Sequence, residues 1–282
     1  MKIVLTGANG QLGLAFQEEF IRKGTPFFPT DLSVCNISKR EQVEQVLDLQ
    51  KPTVLINCAA YNLVDQAEGD RAAAFEVNAK AVKTLASVCE SRGIKLVHYS
   101  TDYVFDGKKG SSYFEEDIPN PLNVYGQSKY EGELAAREDI ADHLVFRTSW
   151  VYGEGKQNFL YKLTEWTKKS NVIKVSVDEV SVPTYVEDIV WVTLKALEKK
   201  ITGLYHLTSS GYASRYEWAK AYLKAAGIAA QVVPVSMSTF SLKAARPHFS
   251  AMSNQKISSE LNIQIPSWQE GVEQYVRSRM RK

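Results

Sequence analysis

The segment KIVLTGANGQLG, residues 2–13, decides how the rest of this 282-residue chain is interpreted. Its first residues form an apolar run that predicts a β-strand, and apolar positions from Leu12 to Phe20 recur at the spacing of an α-helix. Between them stand Gly7, Gly10 and Gly13. A strand, a glycine turn and a helix in this order let backbone N–H groups and a helix N-terminus face a pyrophosphate. The segment therefore predicts a dinucleotide site, although its glycine spacing differs from the common G-x-G-x-x-G pattern.

Strand and helix patterns alternate after this turn. Short apolar strands are predicted at 26–30, 53–57, 95–99, 144–147 and 204–207. Such alternation is typical of an α/β protein with a Rossmann-type, doubly wound parallel sheet. We expect residues 1–149, with 184–207 returning to them, to form a dinucleotide-binding domain. Residues 150–183 and 208–282 are then expected to form a smaller C-terminal α/β substrate domain.

Local patterns give three more expectations. Ser-x-x-Glu patterns predict capping boxes that open helices at 38–41, 214–217 and 267–270. Apolar positions from Phe75 to Cys89 predict one long helix with a single buried stripe. The loop 106–122 is rich in Gly, Ser, Pro and acidic residues, and we expect it to lie over the site.

Tyr125 and Lys129 are four residues apart on a predicted helix, 124–137, so their side chains share one face. A positive charge beside a phenol favours phenolate, so we expect Lys129 to lower the pKa of Tyr125. Thr101 follows the strand 95–99, at the edge where parallel sheets bind ligands. A Tyr-x-x-x-Lys pair alone is common on amphipathic helices. Beside a dinucleotide site, however, these three residues predict proton delivery to a carbonyl oxygen.

The expected cofactor is a nicotinamide dinucleotide, and the choice between NADH and NADPH stays open. Asp31 closes the second strand, where a carboxylate can accept hydrogen bonds from the adenosine ribose and favour NADH. Lys39 and Arg40 start the next helix and are near enough in sequence to reach a 2′-phosphate, as NADPH requires. The segment 58–61, whose first three residues are small, either lets the backbone pass close to the cofactor or simply packs in the core. Asn78 lies beside a helical stripe, where a buried amide is more often a structural bridge than a catalyst.

Composition limits the classes of protein. The 34 basic and 32 acidic residues leave a net charge of +2, with no basic block, so nucleic acid is not an expected partner. Cys35, Cys58 and Cys89 have no metal-ligand spacing, and the four histidines form no metal pair. No signal-peptide pattern or membrane-spanning apolar run is present. We therefore expect a cytoplasmic protein with reduced thiols and no metal site of its own.

With these residues in place, the chain resembles the dTDP-4-dehydrorhamnose reductases of the extended short-chain dehydrogenase/reductase superfamily. The resemblance is carried by segments that span nearly the whole chain: 6–13, 57–61, 64–68, 99–105, 123–129, 147–153, 183–184, 203–206 and 246–247. It implies reduction of the C4 ketone of a nucleotide-linked 4-keto-6-deoxy sugar by NADPH or NADH. The product expected is dTDP-L-rhamnose, a precursor of cell-surface polysaccharide.

The resemblance also implies a role for each matching residue. Tyr125 would donate the proton, Lys129 would lower its pKa and bind the nicotinamide ribose, and Thr101 would polarise the ketone. The implied substrate-binding residues are Val64, Thr101, Asp102, Tyr103, Trp150, Asn158 and Arg246. The implied cofactor-binding residues are Gly7, Asn9, Gly10, Gln11, Leu12, Asp31, Asn36, Ile37, Cys58, Ala59, Ala60, Tyr61, Asn78, Tyr125 and Lys129.

The chain departs from the family pattern at two places. Asn36 stands where the family often has Asp near the adenine, and an amide oxygen can still accept a hydrogen bond there. The loop 178–183 differs from the usual Asp-Gln-x-Gly-x-Pro, because Glu179 adds a charge and Ser181 replaces a glycine. Since this loop is expected beside the sugar pocket, the identity of the sugar stays open. Some family members use Mg²⁺ at a dimer interface, but no carboxylate cluster here can be assigned to it.

Three alternatives stay open. A UDP-linked 4-keto-6-deoxy-hexosamine would undergo the same chemistry. A 4,6-dehydratase or epimerase shares the fold, although dehydratases of the superfamily usually place an acidic pair after the threonine, where this chain has Asp102 and Tyr103. A non-catalytic protein that senses NAD(P) would not need Thr101, Tyr125 and Lys129 together. The assembly is expected to be a monomer or a homodimer that takes a small nucleotide sugar as its partner.

Overall fold

The computed structural model describes residues 1–280. The strands are β1 Ile3–Thr6, β2 Phe27–Thr30, β3 Val54–Asn57, β4 Lys95–Thr101, β5 His143–Thr148, β6 Val151–Tyr152, β7 Val172–Ser176, β8 Val180–Ser181, β9 Thr184–Tyr185, β10 Gly203–His206, β11 Ala213–Ser214 and β12 Gln231–Val235. The helices are α1 Gln11–Lys23, α2 Arg40–Gln50, α3 Val64–Ala67, α4 Arg71–Phe75, α5 Ala81–Glu90, α6 Val124–Glu138, α7 Phe159–Thr167, α8 Val186–Glu198, α9 Arg215–Ala225, α10 Gln255–Leu261 and α11 Trp268–Met280. A π-helical segment, Glu76–Lys80, joins α4 to α5.

Six strands form one sheet in the order β10-β5-β4-β3-β1-β2, and every neighbouring pair is parallel. The predicted α/β fold and all six predicted sheet strands are therefore confirmed. Connections lead away from β1 in opposite directions, so the strand order reverses between β1 and β3. A crevice opens at such a point outside the carboxyl ends of the strands, where ligands of open parallel sheets bind.

Apolar residues cover both faces of this sheet, as the continuous apolar strands require. One buried cluster joins α1, α8 and α10 to the first face and includes Phe16, Ile56 and Ile189. A second cluster joins α2 and α5 to the other face and includes Leu55 and Leu85. Because both faces of the sheet are buried, a ligand can reach it only at an outer strand or at the ends of the strands.

A separate apolar cluster lies among the elements that follow β5. Tyr152, Leu160, Trp218 and Tyr275 are buried there together, and α7, α9 and α11 supply most of its members. The short pairs β12-β7 and β11-β8 belong to the same region. This second core gives the loops near the carboxyl ends of the sheet a rigid support of their own.

Two of the three predicted capping boxes are present. Ser214 accepts from the Glu217 N–H at 3.1 Å, and the Glu217 carboxylate accepts from the Ser214 N–H at 2.8 Å. The same reciprocal bonds join the residues at 267 and 270. The box predicted at Ser38 is wrong, because α2 begins at Arg40 without a side-chain cap. The Ser38 N–H instead donates to the Asn36 side chain, 3.0 Å away, in a local turn.

The predicted long helix is interrupted by its π-helical segment. Ala79, Val82, Leu85 and Cys89 are buried as expected. Phe75, however, packs in a different small cluster beside the α6 residues, because one extra residue in the turn rotates everything before it. A Cβ on Gly132 of α6 would clash with the main-chain oxygen at the centre of the segment. The glycine therefore lets α6 approach closely.

The loop 106–122 does not lie over the site, so that expectation is wrong. Phe105 stacks on Tyr113 with 4.1 Å between ring centroids, and Tyr113 forms a bridge with Met252. Glu115 accepts a hydrogen bond from the His206 N–H at 2.7 Å. These contacts fasten the loop to the far side of β10 and to the chain near residue 252. None of its described residues lines either of the cavities described below.

Candidate active site

The glycine turn between β1 and α1 has the shape that a bound pyrophosphate needs. Gly7 has a φ of +64°, and a Cβ there would lie 2.5 Å from the Ala59 N–H nitrogen. A Cβ on Gly13 would clash with the Gly7 oxygen. The N-cap of α1 is Gly10, which contributes no side chain, so the first N–H groups of the helix stay available.

The residues expected at the adenosine end lie together past the end of β2. Asp31 accepts hydrogen bonds from the Ser33 hydroxyl at 2.6 Å and the Ser33 N–H at 2.9 Å, and these bonds lower the pKa of its carboxyl group. Asn9 also donates to Asp31. Asn36 accepts from the Ser38 N–H, and Ile37 is buried. These contacts favour the ionised form of Asp31, and Asn9 of the glycine turn helps to orient its carboxylate.

A cavity of about 290 Å³ joins this turn to the carboxyl ends of β3, β4 and β5. It is lined by Gly10, Gln11, Leu12, Asn57, Cys58, Ala59, Ala60, Asn62, Tyr99, Ser100, Thr101, Asp102, Tyr125, Lys129, Thr148, Ser149, Trp150, Val151, Gln157 and Asn158. We call it the cofactor-side cavity. It brings the predicted proton donor, its amine and the threonine together with the small residues that follow β3.

Two of the predicted cofactor residues, Tyr61 and Asn78, do not line this cavity but hydrogen-bond to each other next to it. Asn78 does not line it; its amide oxygen accepts from the Tyr61 N–H at 2.8 Å. The Asn78 nitrogen donates to the Tyr61 oxygen and to the Ser128 hydroxyl, each 3.0 Å away. Asn78 is thus the structural bridge that its burial suggested. It ties the chain after β3 to α6, which carries Tyr125.

Helix α6 sets the positions of Tyr125 and Lys129. Asn123 caps the helix by accepting from the Gly126 N–H at 2.7 Å, so Tyr125 lies in the first turn. A Cβ at Gly126 would clash with the Tyr103 oxygen, so this turn packs directly on the chain after β4. Lys129 is 3% exposed, and its amine donates to the Tyr99 carbonyl oxygen of β4.

The electrostatics of this group differ from the expectation. Burial raises the pKa of Tyr125 to about 12, the hydrogen bond with Thr101 lowers it, and the charge of Asp102 raises it. Burial lowers the pKa of Lys129 to about 8, against the opposing effect of Glu133. The expectation that Lys129 lowers the pKa of Tyr125 is wrong for this geometry, because the amine contacts a carbonyl of β4. The phenol therefore keeps its proton at neutral pH and can donate it.

Asp102 lies between this group and the C-terminal part of the chain. It is 2% exposed and accepts hydrogen bonds from the Ser181 hydroxyl at 2.8 Å and the Ser250 hydroxyl at 2.6 Å. Thr101 donates to its other oxygen at 3.2 Å. Burial raises the pKa of Asp102 to about 6, and the serine hydrogen bonds oppose the rise. Ser181, one of the departures from the family pattern, therefore helps to hold the residue next to Thr101.

A second cavity of about 620 Å³ adjoins the first and shares Thr101, Tyr125 and Trp150 with it. Its further lining includes Val64, Asp65, Tyr103, Asn158, Phe159, Lys162, Trp166, Lys174, Glu179, Arg215, Trp218, Phe240 and Arg246. We call it the substrate-side cavity. All seven predicted substrate residues line it.

Several of these predicted residues are already engaged by the protein. Arg246 makes two hydrogen bonds to Asp65, at 2.6 and 3.0 Å, and this pairing lowers the pKa of Asp65 to about 2. Asn158 caps α7 through the Tyr161 N–H and also donates to Gln11 at 3.0 Å. Asn158 therefore connects the glycine turn to the substrate-side cavity.

Trp150 has the most unusual backbone in the site, with a φ of +43°, which non-glycine residues rarely adopt. Its ring stacks on Trp218 with 5.6 Å between centroids. The Arg215 guanidinium lies 3.6 Å from the centre of the Trp150 ring and pairs with Glu179 at 3.3 Å. Sequence analysis missed Arg215 and gave no role to the charge of Glu179. They carry no motif, and only the pairing of β8 with β11 brings them together.

Neither a metal-binding cluster nor a membrane-spanning helix is found among the described residues. Within residues 1–280, no group of three or more His, Cys, Asp or Glu side chains is arranged to hold a metal ion. No helix in that range combines the length and the apolar composition needed to cross a membrane.

Known proteins match this chain along nearly its full length. The family described as "RmlD substrate binding domain" matches residues 1–280. A dTDP-4-dehydrorhamnose reductase of Burkholderia thailandensis is 37% identical over 294 residues, which cover 98% of each chain. The crystal structure of a dTDP-4-dehydrorhamnose reductase of Clostridium acetobutylicum has a TM-score of 0.96 at 34% identity and covers 99% of this chain and 100% of that one.

A second solved structure is equally similar. It is a dTDP-4-dehydrorhamnose reductase of Bacillus anthracis in complex with NADP, with a TM-score of 0.95 at 37% identity. The match covers 98% of this chain and 99% of that chain. The fold, the site at the sheet edge and these full-length matches agree. The chain therefore belongs to the dTDP-4-dehydrorhamnose reductase family, that of the RmlD substrate binding domain.

Proposed function

We propose that this protein reduces the C4 ketone of a nucleotide-linked 4-keto-6-deoxy sugar with NADPH or NADH. The substrate that fits its relatives is dTDP-4-dehydro-L-rhamnose, and the product is dTDP-L-rhamnose for cell-surface polysaccharide. One observation carries the proposal: Thr101, Tyr125 and Trp150 stand where the cavity beside the glycine turn meets a larger, charged cavity. A ketone held at that junction would lie beside the Tyr125 hydroxyl, and a nicotinamide bound in the first cavity would supply the hydride.

The residues present fit a nicotinamide dinucleotide. A Cβ on Gly7 would clash with the backbone at Ala59, and a Cβ on Gly13 would clash with the Gly7 oxygen, so only glycines allow the tight turn whose N–H groups can face a pyrophosphate. The buried hydroxyls of Ser100 and Thr148 line the cofactor-side cavity and have no hydrogen-bond partner within residues 1–280, so a polar ligand group would satisfy them. The bound cofactor supplies the hydride.

The chain's own residues handle the proton and the ketone. Tyr125, with its pKa held near 12, stays protonated and donates to the C4 oxygen as negative charge develops there. Thr101 contacts the phenol and helps to hold the ketone oxygen within reach. Lys129 is anchored on the Tyr99 oxygen, and it lies on the cavity wall where a ribose hydroxyl would be bound. General acid catalysis of this kind contributes about 10²- to 10⁴-fold.

We further propose a division of labour along the chain. Residues 1–149 and 184–207 supply most of the dinucleotide site, while 150–183 and 208–282 supply most of the nucleotide-sugar site. The separate apolar core after β5 supports this division. A cytoplasmic monomer or homodimer is the form that we expect, and three free thiols suit a reducing compartment.

The test is a substrate panel with both cofactors. We expect oxidation of NADPH or NADH, followed by absorbance, with dTDP-4-dehydro-L-rhamnose. Preferential turnover of a UDP-linked 4-keto-6-deoxy-hexosamine would keep the chemistry and change the substrate. No oxidation of either cofactor with either sugar would overturn the proposal. Purified protein that carries tightly held NAD⁺ would instead indicate a dehydratase or epimerase, a role that Asp102 suits poorly because two serines occupy its carboxylate.

A further inference from the structure

Glu179 is a buried carboxylate on the wall of the substrate-side cavity. It is 8% exposed, and burial of a charge is tolerated only where hydrogen bonds or an opposite charge compensate it. Arg215 compensates it here, with 3.3 Å between the guanidinium and the Glu179 Oε1 atom. The Tyr103 hydroxyl donates to the same atom from 3.5 Å. Both contacts use Oε1, which leaves Oε2 to accept a hydrogen bond from a ligand.

The backbone fixes this pair in place. Strand β8 pairs with β11 in an antiparallel register that aligns Val180 with Ser214, so the residues just beyond them, Glu179 and Arg215, lie opposite each other. The Arg215 N–H also donates to the Glu179 main-chain oxygen at 3.1 Å. The guanidinium is held from its other side by the Trp150 ring. The carboxylate therefore has little freedom to move when a ligand binds.

The position of the pair places it beside the reacting part of a substrate. The Tyr103 ring meets the Tyr125 ring edge-on, with 5.9 Å between centroids. Tyr125, Tyr103, Glu179, Arg215 and Trp150 thus follow one another around the cavity through direct contacts. A sugar whose C4 oxygen reaches Tyr125 has its remaining ring substituents next to this wall.

The charges of the cavity support the same orientation. Lys162 and Lys174 also line it, and neither forms an ion pair with another described residue of the chain. Their uncompensated charge suits a diphosphate, whereas the Glu179 carboxylate would repel one. The part of the cavity at Glu179 is therefore suited to the neutral, hydroxyl-bearing sugar ring and not to the diphosphate.

We propose that Glu179 is a specificity-determining residue whose carboxylate accepts a hydrogen bond from a ring hydroxyl of the sugar, and that Arg215 is the residue that positions it. This inference rests on the proposed function and adds a substrate feature to it. A site built to accept from a hydroxyl rejects an analogue that lacks the hydroxyl, because its own polar group is then left unpaired. Hydrogen bonds to a charged group suggest a preference of about 10- to 100-fold.

The experiment compares a 4-keto-6-deoxyhexose nucleotide with analogues that lack the C2 or the C3 hydroxyl. We expect the wild type to prefer the complete sugar over at least one analogue by about 10- to 100-fold in kcat/KM. Glu179→Ala is expected to abolish that preference, while Glu179→Gln, which keeps an acceptor oxygen, retains part of it. Glu260→Gln, at an exposed carboxylate, is the matched control and should behave as the wild type.

Arg215 is tested by a conservative pair of variants. Arg215→Lys keeps the ion pair and should retain the preference for the hydroxylated sugar. Arg215→Met should lose it and raise KM more than it lowers kcat. If Arg215 had only a structural role, its substitution would leave the ratio of kcat/KM between the two sugars unchanged, and lysine would have no preference to restore. If Glu179→Ala does not fold, Glu179→Ala with Arg215→Met removes both charges together and serves in its place.

The outcomes separate this inference from the proposed function. A wild type that reduces no 4-keto sugar overturns the function. If the wild type reduces these sugars but Glu179→Ala keeps the full preference, the role of Glu179 alone is overturned. The same holds if kcat/KM falls by the same factor for the complete sugar and for the analogue. An Arg215→Met variant with unaltered preference overturns the positioning role.

Discussion

The two adjoining cavities are built from different materials. The cofactor-side cavity has many small side chains in its lining, and Asp102 and Lys129 are its charged residues. The substrate-side cavity is larger and is lined by seven charged side chains, including the pairs Asp65–Arg246 and Glu179–Arg215. Backbone shape thus decides what enters the first, and side-chain chemistry decides what enters the second. Substitutions should therefore act differently on the two sides.

The largest effect is expected at the junction itself. Tyr125→Phe should lower kcat by about 10²- to 10⁴-fold, because it removes the proposed proton donor, together with its hydrogen bond to Thr101, and keeps the aromatic ring. The dissociation constant for NADPH, measured by fluorescence titration, should stay near that of the wild type. Tyr130→Phe, on the same helix and outside both cavities, is the matched control. Unchanged turnover in Tyr125→Phe would remove the phenol from the mechanism.

Gly13→Ala should damage the cofactor side alone. Its new Cβ would clash with the Gly7 oxygen in the turn that faces the pyrophosphate. Such overpacking typically costs about 1–3 kcal/mol of folding stability, and the turn must shift to relieve it. Because the shifted turn presents its N–H groups poorly, the dissociation constant for NADPH should rise, and a loss of about 1.4 kcal/mol in binding corresponds to about 10-fold. Gly69→Ala is a suitable control, because the nearest atom to its Cβ lies at an ordinary 3.7 Å. Equal weakening by both variants would mean that the effect is general.

Lys162→Met and Lys174→Met should damage the substrate side alone. Each removes an uncompensated positive charge from the cavity wall, so KM for the sugar nucleotide should rise by about 10-fold, with a weaker dependence on salt. NADPH binding should be unchanged. Lys108→Met, at an exposed residue that lines neither cavity, supplies the control. A KM unaffected by either variant would place the diphosphate elsewhere.

The remaining expected effect concerns the stability of the fold, at a buried carboxyl group of α8, and not catalysis. Burial raises the pKa of Asp188, on α8, to about 7, and its Oδ2 atom has no hydrogen-bond partner within residues 1–280. The folded state therefore binds a proton that the unfolded state releases between about pH 4 and 7, so stability should fall as pH rises through that window. The slope from this group cannot exceed about 1.4 kcal/mol per pH unit.

Asp188→Asn tests this expectation because an amide does not titrate. Urea unfolding at pH 5 and pH 8 should show a smaller fall in the free energy of unfolding for the variant than for the wild type. Glu138→Gln, at an exposed carboxyl group, should keep the wild-type slope. An identical slope in Asp188→Asn and wild type would show that Asp188 does not titrate in that range.

The cofactor side could be read from the sequence because its parts are close together in the chain. The strand, the three glycines and α1 lie within one short segment, and the six parallel strands follow from apolar runs. Tyr125 and Lys129 are one helical turn apart. Local spacing therefore predicts both the sheet edge and the residues placed on it.

The substrate side could not be read in the same way. Glu179 and Arg215 are 36 residues apart and meet only because two short strands pair. Asp102 finds its partners Ser181 and Ser250 at separations of 79 and 148 residues. The pKa of Tyr125 was also misjudged, since helical spacing places Lys129 nearby but cannot show that its amine turns to β4. Such contacts depend on tertiary packing, which no local pattern contains.

The π-helical segment Glu76–Lys80 has a consequence for engineered shortening of the chain. Deleting one residue there would let the helix close into regular α-helical turns, so little helical structure would be lost. The deletion would nevertheless rotate one half of the helix by roughly 100° relative to the other. Asn78 would swing away from Tyr61 and release the chain that follows β3. Circular dichroism would report an intact protein whose cofactor crevice had come apart.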